Sequence, residues 1–433
     1  MEDKRKYWLW LSHTLGQGSR SATNLMRVFS EPSEIYGLEA DKIKKKSPDT
    51  DTRIISKLTP RPLDEEEEIL YWCDSNSVSV LTPDHDKYPK SLLHLQDAPM
   101  VLYALGDIED IDDRMCCAIV GTRNMSDYGR DMAYKIGAGI ADGGGVIVSG
   151  LALGIDGMAM AGALEAGGKC VAVLGCGIDR VYPKEHEHLL KKVVEHGMVI
   201  TEYAPGVAPK GEHFPVRNRI ISGMCQAVCV VEGNMRSGSL ITARHALYQG
   251  RTLFAVPGQV GIENTEGSNF LLRNGARVAT CAADILERFE LMYPLTLRLD
   301  RFVPHRPSKE AEDKYLISGR GIRRKNEKTA KTEEKRENSP VFPPEEKKPE
   351  RKQVNLENLS ERDMKVYEFM MPDVPMLADE IAECGLELPD VMVALTMLEI
   401  CGAVEAGAGG YYLKRTADSI GDPEYITEDD DGL

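Results

Sequence analysis

Between residues 114 and 290 the chain repeats one unit: a short apolar run, a turn containing glycine or proline, then a helical stretch. The apolar runs are Cys116 to Val120, Val146 to Ser149, Cys170 to Leu174, Met198 to Thr201, Ala227 to Val231 and Thr252 to Val256. They lack polar alternation, as strands buried on both faces do. Helical stretches such as Arg130 to Ala141 and Ile241 to Tyr248 follow them. Strand, turn and helix at this spacing predict an α/β domain with a mainly parallel sheet and helices on both faces. Ligands of such sheets lie beyond the carboxyl ends of the strands, which makes the turns there the candidate site.

Those turns share a composition suited to anions. They read Gly121-Thr122-Arg123, Ser149-Gly150-Leu151-Ala152-Leu153-Gly154-Ile155-Asp156 and Ser237-Gly238-Ser239-Leu240-Ile241-Thr242. Glycines and hydroxyls at a helix start leave backbone N–H groups facing an anion, which makes Ser149, Gly150, Ser237 and Gly238 candidate contacts. Asp156 is expected as a helix N-cap and not as a catalytic acid. A further turn holds Phe214-Pro215-Val216-Arg217-Asn218-Arg219, with an aromatic ring able to stack on a base beside two guanidiniums able to fork onto phosphates. The plainer alternative is that Phe214 is core and one arginine pairs with Glu202 or Glu232. Lys210 precedes this run, and Glu212 beside it lowers the local potential.

No nucleophile, acid/base pair or metal-ligand spacing accompanies the turns, so they point to holding a phosphodiester and not to cutting one. The turn Gly175-Cys176-Gly177-Ile178-Asp179 departs from Gly-x-Gly-x-x-Gly, and no acidic residue closes the next strand. That argues against a dinucleotide site, and no cofactor or metal is expected. The ten cysteines show no metal-type pairing and read as buried reduced thiols of a cytoplasmic protein. No signal-peptide pattern or long apolar run is present. A net charge of −16 opposes general affinity for nucleic acid, so a polyanion would need a local basic site and salt-sensitive binding.

The flanks divide the chain further. Residues 1–75 read as a helical domain, where a Gly16-Gln17-Gly18 turn between two helices suggests a helix-hairpin-helix or SAM-like unit, or a plain helical cap. Residues 76–113 read as an extended connector, 114–290 as the α/β domain, and 291–354 as a flexible charged linker. Residues 355–415 combine helices with a hairpin in a winged-helix pattern, and 416–433 form an acidic tail. The expected recognition helix, Asp390 to Met397, carries no Arg or Lys, which favours protein interaction over duplex reading.

Residues 86–290 resemble the DNA-processing protein A family (DprA, also called Smf). The resemblance rests on Gly121-Thr122-Arg123, Ser149 to Asp156, Tyr182-Pro183, Phe214 to Arg219, Ser237 to Thr242 and Pro257-Gly258. It implies an extended Rossmann-like domain that binds single-stranded DNA in a positive pocket without catalytic turnover. It further implies a homodimer that shields the strand and hands it to a RecA-type recombinase during natural transformation. By position the pocket would comprise Arg123, Ser149, Gly150, Phe214, Arg217 and Arg219, with Lys210, Asn218, Ser237 and Gly238 alongside. A nucleotide-derivative hydrolase on a related fold is the alternative. It would need a Pro-Gly-Gly-x-Gly-Thr-x-x-Glu turn where this chain has Glu232-Gly233-Asn234-Met235-Arg236-Ser237-Gly238-Ser239.

Overall fold

The computed structural model describes residues 3–299, 305 and 307, and within 360–414 the residues 360–371, 376–386, 390, 391, 394, 395, 398, 403–407 and 411–414. The chain divides into two compact units, Met1–Glu334 and Lys335–Leu433.

The first unit begins with helices α1 (Arg5–Leu15), α2 (Arg20–Val28), α3 (Ala40–Lys46), α4 (Thr52–Lys57) and α5 (Asp64–Ser75). Trp8, Leu9, Trp10 and Leu11 of α1 are buried, and the Ser19 side chain caps α2 by accepting the Ala22 N–H at 3.3 Å. The strands are β1 (Ser79–Leu81), β2 (Leu102–Gly106), β3 (Cys116–Val120), β4 (Val146–Ser149), β5 (Lys169–Leu174), β6 (Met198–Thr201), β7 (Ala227–Val230), β8 (Thr252–Ala255) and β9 (Arg277–Val278). They form one sheet in the order β1-β2-β6-β5-β4-β3-β7-β8-β9. Every pairing from β6 to β9 is parallel, while β1–β2 and β2–β6 are antiparallel.

Between the strands run α6 (Asp127–Asp142), α7 (Ile155–Glu165), α8 (Glu187–His196), α9 (His213–Gly223), α10 (Gly238–Tyr248), α11 (Glu263–Arg273) and α12 (Ala282–Leu286). The expected strands are all present, ending within a residue of their predicted bounds, because buried parallel strands leave an unbroken apolar signature. The connector expected over 76–113 is corrected: it supplies β1 and β2, which pair onto β6 and extend the sheet. The chain leaves β3 toward β4 on one side, and β7 pairs on the other, so the strand order switches at β3. Switch points of this kind open a crevice beyond the strand ends.

The second unit has its own core, including Val366, Ile381, Leu395 and Leu398. Its elements are α13 (Glu361–Phe369), β10 (Met376–Leu377), α14 (Ala378–Ile381), β11 (Val404–Gly407) and β12 (Tyr411–Lys414), with sheet order β10-β12-β11. The Ser360 side chain caps α13, and Asp363 completes the capping box. Residues 392, 393, 396 and 397 of the expected recognition helix lie outside the described residues. So do the acidic tail and most of the expected linker. Among the described residues no helix is long and apolar enough to cross a membrane.

Candidate nucleic-acid interface

A cleft of about 550 Å³ lies beyond the carboxyl ends of β3 and β7, at the switch point. The turn after β3 brings Thr122 and Arg123, the start of α10 brings Ser237 and Gly238, and α9 brings Phe214, Arg217 and Asn218. The Phe214 run is therefore not a turn, as expected from its sequence, but the opening of a helix that starts at His213. Pro215 does not prevent this, because the N–H groups of a first helical turn have no intrahelical acceptor to lose.

Helical phase then decides which cation meets the cleft. At about 100° per residue, Phe214, Arg217, Asn218 and Ile221 share one face, and all four line the cleft. Arg219 follows Arg217 by about 200° and points to the opposite side of the helix. Its expected role on phosphate is corrected. Arg219 is 2% exposed, and its Nη2 donates to both Glu202 carboxylate oxygens at 2.8 and 2.9 Å. Asp97 stands 3.6 Å from its Nε. The Gly18 N–H points at the same Glu202 carboxylate at 3.4 Å, and a Cβ on Gly18 would come within 3.3 Å of Arg219 Nε. The Gly16–Gly18 turn thus packs on this buried pair. Burial pushes the Glu202 carboxyl up, and the Arg219 guanidinium pulls it back.

Phe214 is the centre of the cleft's chemistry. The Arg123 guanidinium lies 5.6 Å from its ring centroid and that of Arg217 lies at 5.7 Å. The Tyr182 ring is 5.4 Å away and tilted by 34°. Tyr182 also lines the cleft, although its sequence context marks it only as part of a motif and not as a site residue. Nothing local in the sequence brings a residue of the β5–α8 loop against one on α9. Asn234 and Thr242 are further lining groups missed in the same way.

Arg217 is almost wholly buried, and its guanidinium forms part of the wall. Its Nη1 donates to the carbonyls of Gly150, at 2.8 Å, and Val173, while its Nε has no hydrogen-bond partner among the described residues. Burial pushes it down to about 10, against the pull of Asp156, so it stays charged at neutral pH. Gly150 is a glycine for this reason: a Cβ there would come within 2.6 Å of Arg217 Nη1. The expectation that Ser149 and Gly150 offer donors to an anion is corrected. Ser149 is fully buried and its Oγ donates to the Ile119 carbonyl at 2.6 Å. The Gly150 N–H donates to the Asp156 carboxylate at 3.0 Å. Asp156 is not the N-cap of α7, which is Gly154; it lies in the first turn, and its carboxylate already occupies the donors that the loop would present.

Lys210 is exposed on the cleft rim, with its Nζ 4.0 Å from Glu212. Asn218 donates weakly to the Gly238 carbonyl at 3.4 Å. Ser237 caps α10, and Gly238 opens onto free space. Glu232 is buried and accepts the Ser126 N–H at 2.9 Å and the Ser126 hydroxyl, so it is not poised over the cleft. Among the described residues no group of His, Cys, Asp and Glu could hold a metal ion.

A doubly wound sheet whose switch-point crevice is walled by an aromatic ring and guanidiniums defines a Rossmann-like α/β protein with a cleft suited to anions. Residues 79–290 match the profile of the family described as DNA recombination-mediator protein A. The chain is 42% identical over 205 residues to the DNA processing protein DprA of Streptococcus pneumoniae, covering 47% of this chain and 72% of that protein. It is 32% identical over 341 residues to protein Smf of Synechocystis, covering 77% of this chain and 80% of that one. The X-ray structure of the S. pneumoniae protein aligns with a TM-score of 0.57 at 32% identity, covering 66% of this chain and 98% of the other. The chain belongs to the DNA recombination-mediator protein A family.

Proposed function

We propose that this protein binds single-stranded DNA in the Phe214 cleft without regard to sequence. It shields the strand and passes it to a RecA-type recombinase, acting as a cytoplasmic homodimer without turnover. The observation that carries this reading is the Phe214 ring set between Arg123 and Arg217 at the strand ends. A base stacked on an aromatic ring, with its phosphates near guanidiniums, is held whatever its identity, at roughly 1–3 kcal/mol per base. On this reading the strand meets Arg123, Lys210, Phe214, Arg217, Asn218, Ser237 and Gly238. The absence of turnover is supported by the carboxylates near the cleft, since Asp156 and Glu232 are both buried and engaged by backbone N–H groups. The winged-helix reading of the second unit makes that unit a docking module for protein.

The test is binding of labelled oligo-dT and of a duplex of equal length across a salt series. Single-strand preference that falls steeply with salt, and loss of most affinity in Arg123→Ala with Arg217→Ala, are expected. Undiminished binding by that double variant would overturn the cleft assignment. Release of base or phosphate from nucleotides by the purified protein would favour the hydrolase instead.

A further inference from the structure

The cleft contains a charge that works against its own ligand. Asp156 lines it, is 6% exposed, and belongs to the protein's own loop. Its carboxylate accepts the Gly150 N–H at 3.0 Å, on the residue whose carbonyl accepts Arg217 Nη1 at 2.8 Å. Asp156 and Arg217 therefore face the same cleft across one glycine. The orientation of Arg217 does not depend on the acid, because the carbonyls of Gly150 and Val173 hold its Nη1. What the acid changes is potential. A phosphate approaching Arg217 meets a cation already beside an anion, in a partly desolvated site where unit charges are felt strongly.

We propose that Asp156 is the resident counter-anion of the cleft and holds strand affinity below what its arginines could reach. The inference rests on the cleft being the DNA site. It explains why a helix start rich in glycine is not an anion site here: the anion is supplied by the chain. It also suits a protein that must release its strand, since a phosphate competing with a built-in carboxylate leaves more readily than one facing an uncompensated guanidinium.

The experiment measures oligo-dT affinity by fluorescence anisotropy at several salt concentrations, with melting temperature recorded for each variant. Asp156→Asn keeps an oxygen for the Gly150 N–H and removes the charge; Asp156→Ser removes the charge with a shorter side chain, should the first variant not fold. Removal of one unit charge from the wall that also carries Arg217 is expected to tighten low-salt binding roughly tenfold, with the gain shrinking as salt rises. In an Arg217→Ala background the gain should vanish, because a buried carboxyl without its cation takes up a proton. Equal or weaker binding by folded Asp156 variants, with wild-type binding intact and Arg123→Ala with Arg217→Ala impaired, overturns this inference alone. A wild-type protein that ignores the oligonucleotide overturns the cleft assignment and this inference together.

Discussion

Replacing Arg219 by alanine should damage the fold and leave the DNA cleft's chemistry largely intact, the reverse of what its place beside Arg217 in the sequence suggests. Arg219 and Glu202 are 2% and 4% exposed, and Nη2 reaches both carboxylate oxygens. Removing one partner of such a pair leaves the other charge buried and costs about 3–5 kcal/mol. For a unit of about 300 residues this corresponds to a melting temperature lower by roughly 5–8 °C. The Gly18 turn rests on the same pair, so the N-terminal helices should loosen first and become more open to protease. Linkage gives a second signature. In the variant, Glu202 loses the cation that offsets its burial, so its folded-state value rises further above the unfolded one. A raised carboxyl contributes stability below its unfolded value and loses it as pH rises through the folded value. The defect should therefore be largest near pH 8 and shrink toward pH 5. Adding Glu202→Gln should restore most of the loss. Calorimetry across pH and oligo-dT anisotropy on the same samples provide the assay. An Arg219→Ala protein that melts with wild type, yet loses oligonucleotide binding as Arg123→Ala does, would refute the helical-phase argument.

Other outcomes follow from the same geometry. Gly150→Ala places a methyl within 2.6 Å of a guanidinium pinned by two carbonyls, so Arg217 must move: oligo-dT affinity should fall about tenfold in anisotropy, and the melting temperature should fall as well. Phe214→Ala should weaken binding by roughly 1–3 kcal/mol in the same titration, while Phe214→Trp keeps most of it, because stacking needs a ring and not a particular one. Ser360→Ala removes the α13 cap and should destabilise the second unit by about 1 kcal/mol, read from its own melting transition.

Much of the fold was legible because its signals are local. Buried parallel strands are apolar throughout, so β3 to β8 could be read from the chain to within a residue. The turns at their ends were legible as well, since glycine and hydroxyl clusters mark them directly. The short strands β1 and β2 were not, because their pairing onto β6 depends on a partner distant in sequence. Tyr182 was missed as a wall of the cleft for the same reason: its ring meets Phe214 only once the β5–α8 loop and α9 are packed together.

The sequence by itself determined that a Rossmann-like sheet would form, that its strand ends would carry cations, glycines and an aromatic, and which family the chain resembles. Tertiary structure decided which of those residues face a ligand. Arg217 and Arg219 are chemically identical and two positions apart; a helix turns them about 200° from each other, one to the cleft and one to Glu202. Ser149 and Gly150 look like an anion loop until Asp156 is seen filling it. Residue type and spacing record what a group can do, while burial and neighbours determine whether its charge or donor is left for anything else.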